Sequence, residues 1–239
     1  MFLGFDPLYW VFLGPALLLT FVAQARLKSA YGKWSKVAAS SRMSGAEAAG
    51  RMLRHAGVNG VKVEPVGGTL SDHYDPRTRT LRLSSGVYQA NSVAAMGIAC
   101  HEAGHALQHA QGYGPLAMRS ALVPVVSFGS KLAMPLIFGG MIMSMFMAGD
   151  LGLQIAKFGV LAFGVVVLFQ LVTLPVEFDA SNRAKKQLMS LGIIQSKQEA
   201  GGVAAVLNAA ALTYVAAAAA ALAQLLYFAM RLGLFGRRN

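Results

Sequence analysis

Four apolar runs, residues 7–25, 120–148, 158–176 and 203–229, limit what this chain can fold into more than any other feature. Each is close to or above the roughly 20 apolar residues that a helix needs to cross the hydrocarbon of a bilayer. In lipid the backbone must satisfy its own N–H and C=O groups, so such runs form membrane helices. Apolar residues make up 55% of the chain and charged residues only 13%, which is outside the range of an ordinary soluble domain. The expected class is therefore a mostly α membrane protein with about four transmembrane helices.

The order of charges around the first run argues against a cleaved signal peptide, because Asp6 precedes it while Arg26, Lys28, Lys33 and Lys36 follow it. An uncleaved anchor with its N-terminus outside is the expectation. Run 120–148 carries Pro124, Lys131 and Pro135 and reads as kinked. Four crossings put 26–119 and 177–202 on one side, and these hold twelve and four basic residues. By the positive-inside rule that side is cytoplasmic, and the chain is expected in the inner (cytoplasmic) membrane. The cluster Arg231, Arg237 and Arg238 then falls on the opposite side. A net charge of +11 could suit nucleic acid, but no aromatic-basic interleaving or nucleic-acid motif accompanies it. The expected partners are the lipid bilayer and a protein or peptide substrate.

Between the first two runs lies a portion with both helix and strand signals. Ser44-x-x-Glu47 is a capping box opening a helix over 46–56, closed by Gly57. Residues 60–66 and the stretch around Leu81 and Leu83 alternate as short strands, joined through a turn at Asp75-Pro76-Arg77-Thr78. The pair reads either as a scaffold hairpin or as an edge that adds an extended substrate strand. A helix over 91–111, capped by Asn91 or Ser92, follows and carries His101-Glu102-Ala103-Gly104-His105. Side chains at i and i+4 share a helix face, so His101 and His105 can offer imidazoles to one ion while Glu102 stands ready to take a proton from water. The lone cysteine, Cys100, excludes an internal disulfide and reads as a buried small residue.

A catalytic zinc takes three protein ligands and keeps one position open. His109 lies two turns from His101, too far along an undistorted helix to share the ion. Glu177, directly after run 158–176, is the expected third ligand, since a carboxylate there is costly without a partner. Asp179, two residues on, faces elsewhere. The competing reading is an interfacial acidic pair balanced by Arg183, Lys185 and Lys186.

At these residues the chain resembles the bacterial membrane-bound neutral zinc metallopeptidase family, with a gluzincin-like HExxH…E site. The similarity extends over Leu70–Pro76, Ala99–Gln108, Leu174–Ser181 and Ala209–Ala216. It implies Zn2+ as cofactor, a zincin-like α+β catalytic portion over 26–119, and the ligand set His101, His105 and Glu177. The gluzincin pattern Glu-aromatic-x-Ala-Asp falls on Glu177, Phe178, Ala180 and Ser181, so a serine stands at the aspartate position. That aspartate commonly supports a ligand histidine; a hydroxyl keeps the hydrogen bond without the charge, which Asp179 could supply.

The expected activity is zinc-dependent endopeptidase cleavage of membrane or membrane-proximal proteins at the membrane surface, with protein quality control as the role the resemblance implies. Glu102 acts as base and then acid, and the oxyanion donor comes from His73, Tyr74 or His109, in that order. The rival readings are a non-catalytic zinc-binding scaffold or chaperone, and a transporter or channel subunit.

Overall fold

A computed structural model of the protein describes residues 6–147 and 149–236; Arg237 and Arg238 lie outside them. Helix α1 spans Pro7–Trp34 and α2 spans Gly45–His55. Three short strands follow, β1 (Lys62–Val66), β2 (His73–Asp75) and β3 (Thr80–Ser84). The one-turn helix α3 (Ser85–Tyr88) leads to α4 (Val93–Ala110), α5 (Gly114–Phe146), α6 (Leu151–Ser190) and α7 (Lys197–Arg231). The four apolar runs lie in α1, α5, α6 and α7, which are long and apolar enough to cross a membrane. The protein is thus a multi-pass, mostly helical membrane protein with a small mixed α/β region.

The chain divides into two compact units. One contains 23–117 and 174–213; the other is built from 118–173 and the outer parts of α1 and α7. In the second unit, α5 and α6 meet with backbones in contact. A Cβ on Gly140 would stand 2.4 Å from the Ala156 nitrogen, and one on Gly152 2.5 Å from the Ser144 nitrogen. Small residues permit this approach where lipid supplies no hydrophobic drive between helices. Pro124 and Pro135 both sit inside the single helix α5. Leu18, Phe21, Phe128 and Leu161 are exposed by 65–72%, an apolar surface suited to lipid and costly in water. Arg231 lies 3.9 Å from the Asp6 carboxylate, which also accepts the Tyr227 hydroxyl proton at 2.9 Å. An acid therefore offsets the cation that the charge rule places on the unexpected side.

The first unit is organised around α4. The capping box is complete: Ser44 Oγ accepts from Glu47 N at 3.2 Å, and the Glu47 carboxylate accepts from Ser44 N at 2.7 Å. Gly57 takes φ +66°, a left-handed value that ends the segment after α2. Ala48, Ala49, Met52 and Leu53 turn inward and join Leu81, Leu83, Val93, Met96 and Cys100 in one core. Burial pushes the Cys100 thiol up to about 12, so it is an inert core residue. Ser92 caps α4, its Oγ accepting from Ala95 N at 3.2 Å.

The sheet departs from a hairpin. Its order is β1-β3-β2, with β1 parallel to β3 and β2 antiparallel to β3. The stretch that carries the oxyanion candidates His73 and Tyr74 is strand β2, with Tyr74 opposite Leu81. Three residues are too short for the alternation signal, and pairing with β3 is what makes them a strand.

A second capping box opens α7. Ser196 Oγ accepts from Glu199 N, and the Glu199 carboxylate accepts from Ser196 N, both at 3.1 Å. The same carboxylate takes Gln195 N at 3.0 Å and, from a distant segment, Ser40 N at 2.6 Å. Glu199 is 5% exposed, so its loss would strand three backbone donors. Glu199→Ala should destabilise the protein by about 2–3 kcal/mol, read as a lower unfolding midpoint in detergent. An unchanged midpoint would show that the cap does not hold this segment.

Candidate metal centre

The centre is made where α4 packs on α6. Gly104, inside the histidine motif, lies against the backbone of Ala180: a Cβ there would stand 2.8 Å from the Ala180 carbonyl oxygen and 3.2 Å from its Cα. A larger residue would have to push two helices apart, since neither neighbour is a movable side-chain end. The close approach brings His101 and His105 of α4 onto Glu177 of α6.

The two imidazoles stand edge to face with centroids 4.8 Å apart. Each turns Nε2 toward the same oxygen of Glu177, at 3.2 Å from His101 and 3.6 Å from His105. Ligand atoms of the three residues all lie within 4.8 Å of one another, and the group can hold a metal ion. Glu177 is 2% exposed, and a carboxylate so buried calls for positive charge beside it. Asp179 is outside this group, as its position two residues along a helix requires.

Hydrogen bonds orient both rings. Gln108, fully buried, gives its amide Nε2 to the Val176 carbonyl and to Asp179 Oδ2, both at 2.8 Å. Both partners only accept, so the amide orientation is determined and Oε1 must receive a proton. It does so from His105 Nδ1 at 3.0 Å. In the neutral ring Nε2 is then a lone pair facing Glu177, the state a metal ligand needs. His101 Nδ1 lies 3.1 Å from Ser181 Oγ, so the serine at the gluzincin aspartate position keeps a contact to that histidine. The negative charge acts on the other one: Asp179 reaches His105 through Gln108 and is itself paired with Arg183. Arg183 also donates to Gln111 and stacks 5.8 Å from the Tyr113 ring centre.

Glu102 is partly exposed beside both histidines. Desolvation pushes its carboxyl above the ordinary range, and His101 and His105 counteract part of that push. The other sequence candidates have partners of their own. His73 Nδ1 donates to the Ser71 carbonyl at 2.8 Å, and the ring is exposed. The Tyr74 hydroxyl pairs with His109 Nδ1 at 2.9 Å, with ring centres 5.9 Å apart. Gln108 and Gly104 have functions that sequence reasoning missed. The signal for Gln108 was a polar residue three positions after a ligand, on the same helix face.

The donor set, two imidazoles and a carboxylate from three protein residues, is that of a catalytic zinc, with the fourth position left to water or substrate. Comparison with known proteins decides the matter. The model of the family described as "Putative neutral zinc metallopeptidase" matches residues 9–233. The chain belongs to this family. It is 50% identical over 215 residues to the "Putative membrane protease YugP" of Bacillus subtilis (strain 168), covering 90% of this chain and 92% of that one. No solved structure matches it. The protein is thus a membrane zinc metallopeptidase, with His101, His105 and Glu177 as the group able to carry the ion.

Wild-type protein purified in detergent should carry about one zinc per chain by elemental analysis, and Glu177→Ala should carry little. Gly104→Val should lose zinc as well although it substitutes no ligand, because it separates α4 from α6. Gln108→Leu should weaken zinc binding about 10–100-fold. Stoichiometric zinc in Glu177→Ala would place the third ligand elsewhere.

Proposed function

We propose that this metallopeptidase is an endopeptidase that cleaves membrane or membrane-proximal proteins at the cytoplasmic surface of the inner membrane, with Glu102 as its general base and acid. The observation that carries this reading is the position of Glu102 between two histidines that share a buried carboxylate, on a helix outside the apolar runs. Bound zinc would polarise the scissile carbonyl and make water a competent nucleophile near neutral pH. Glu102 takes the proton of that water and returns it to the leaving amine. The raised carboxyl suits this work, since a base with a higher pKa accepts the proton more readily and an acid must give it back near neutral pH.

His101 and His105 would hold the ion through Nε2, since each Nδ1 is occupied by Ser181 or Gln108, and Glu177 would complete the set. For the oxyanion, Tyr74 is the better donor of the two β2 residues. Its hydroxyl can give a proton while His109 orients it. His73 has Nδ1–H committed to a carbonyl, so its neutral ring presents a lone pair at Nε2 and donates only when protonated. This reverses the order read from sequence.

The membrane placement rests on Glu177 following an apolar run within one helix, and on the basic residues of 26–119 and 177–202. Those two segments then share the cytoplasmic side, and the four apolar runs cross. Damaged or unassembled membrane proteins would be presented to such a site from the bilayer side, which fits a role in protein quality control.

Glu102→Gln should retain zinc yet lose hydrolysis of an unfolded protein substrate by about 10²–10⁴-fold, whereas Tyr74→Phe should lower kcat by about 10²-fold with little change in KM. Full turnover by Glu102→Gln would remove the proposed mechanism. Wild-type protein that holds zinc but cleaves nothing would favour a scaffold or chaperone.

A further inference from the structure

The positive charge of this chain is not evenly neutralised. Among the described residues, Arg77 and Arg82 pair with carboxylates near the strands, Arg183 with Asp179, and Arg231 with Asp6. Among the described residues Arg26, Lys33 and Lys185 have no carboxylate within ion-pairing distance; Arg26 and Lys33 line one groove, and Lys185 reaches its wall by donating to Asn208. The groove lies between the C-terminal turns of α1 and residues 205–212 of α7, with a volume near 440 Å³. Arg26, Ser29 and Lys33 follow each other at i, i+3 and i+7 and so line a single face of α1. Asn208 faces them from α7, and Lys185 of α6 donates to its Oδ1 at 3.4 Å. The floor is apolar, made by Trp34 and Leu212 among others. Trp34 is packed so closely on α7 that a Cβ on Gly202 would meet its ring at 2.4 Å. The Lys33 ammonium sits 5.0 Å over the same ring.

We propose that this groove binds one anionic phospholipid, its headgroup phosphate held by Arg26, Lys33 and Lys185. Three like charges around one cleft repel each other unless an anion joins them, and a guanidinium offers the paired N–H geometry that phosphate oxygens accept. Ser29 and Asn208 add neutral donors. A free anion would use only the rim. The apolar floor, and the position of Arg26 immediately after apolar run 7–25, select a ligand with a phosphate at one end and a hydrocarbon tail at the other. The start of run 203–229 on the facing helix places the same polar-to-apolar boundary on the other wall.

The test is native mass spectrometry of the full chain in detergent, titrated separately with phosphatidylglycerol, phosphatidylcholine and inorganic phosphate. The wild type should retain one phosphatidylglycerol, and phosphatidylcholine several-fold less. Arg26→Gln/Lys33→Gln should lower retention by about tenfold or more, while Arg26→Lys/Lys33→Arg should restore it. Zinc content reports whether each variant is folded. Lys185→Gln, which leaves α1 untouched, should weaken retention by several-fold and decides the matter if the double variant misfolds. Equal retention of the two lipids, wild-type retention in the glutamine variants, or inorganic phosphate binding as tightly as the lipid would overturn the proposal.

Discussion

The contact between Gly104 and the backbone of Ala180 is the constraint on which the rest of the metal centre depends. Two histidines one turn apart on α4 offer two ligands and no more. The third comes from a helix 76 residues further along the chain from His101, and it reaches them only because α4 carries no side chain at the point of closest approach. Once the helices touch, the buried Glu177 carboxylate finds both Nε2 atoms, and Ser181 and Gln108 take the opposite ring nitrogens. A buried carboxylate in such apolar surroundings is costly unless compensated, so the packing and the donor set support each other.

Gln108 shows how the polar interior is satisfied without leaving a loose end. Its amide fills two acceptors and its oxygen takes the His105 proton, so every atom has one possible assignment. Asp179 and Arg183 extend the chain of bonds to the surface at Gln111. The result differs from the expected gluzincin arrangement: one histidine is supported by a neutral hydroxyl, the other through an amide backed by charge.

Charge elsewhere follows two patterns. Carboxylates are used where backbone or metal-facing groups need them, as in the caps at Glu47 and Glu199 and the turn at Asp75, whose oxygens accept from Arg77 N and Thr78 Oγ at 3.0 Å. Cations without a carboxylate partner are spread along the chain, and three of them, Arg26, Lys33 and Lys185, meet at the α1–α7 groove. With ten acidic residues against twenty-one basic ones, a surplus is unavoidable, and the fold brings three of these cations to one cleft.

Much of this architecture is legible in the amino-acid sequence. Apolar runs specify membrane helices because lipid leaves the backbone no other way to satisfy its hydrogen bonds, and the i, i+4 histidines specify a shared face because helical geometry is local. The capping box at Ser44 is readable, and Ser196-x-x-Glu199 carries the same signature, which sequence reasoning passed over. Strand β2 is not legible, since three residues carry no period and exist as a strand only through β3. Nor is the parallel pairing of β1 with β3, which depends on a crossover rather than on either strand. Local composition and spacing are enough to specify which segments are helices and which residue types can bind zinc, because neither depends on a distant partner. Glu177 is legible as a candidate because a carboxylate in so apolar a setting needs a partner, whereas its meeting with both histidines, the orientation of His105 by Gln108 and the approach of α4 to α6 at Gly104 are set by tertiary packing alone. Each is a contact between groups far apart in the chain, or depends on one, and local rules do not reach that far.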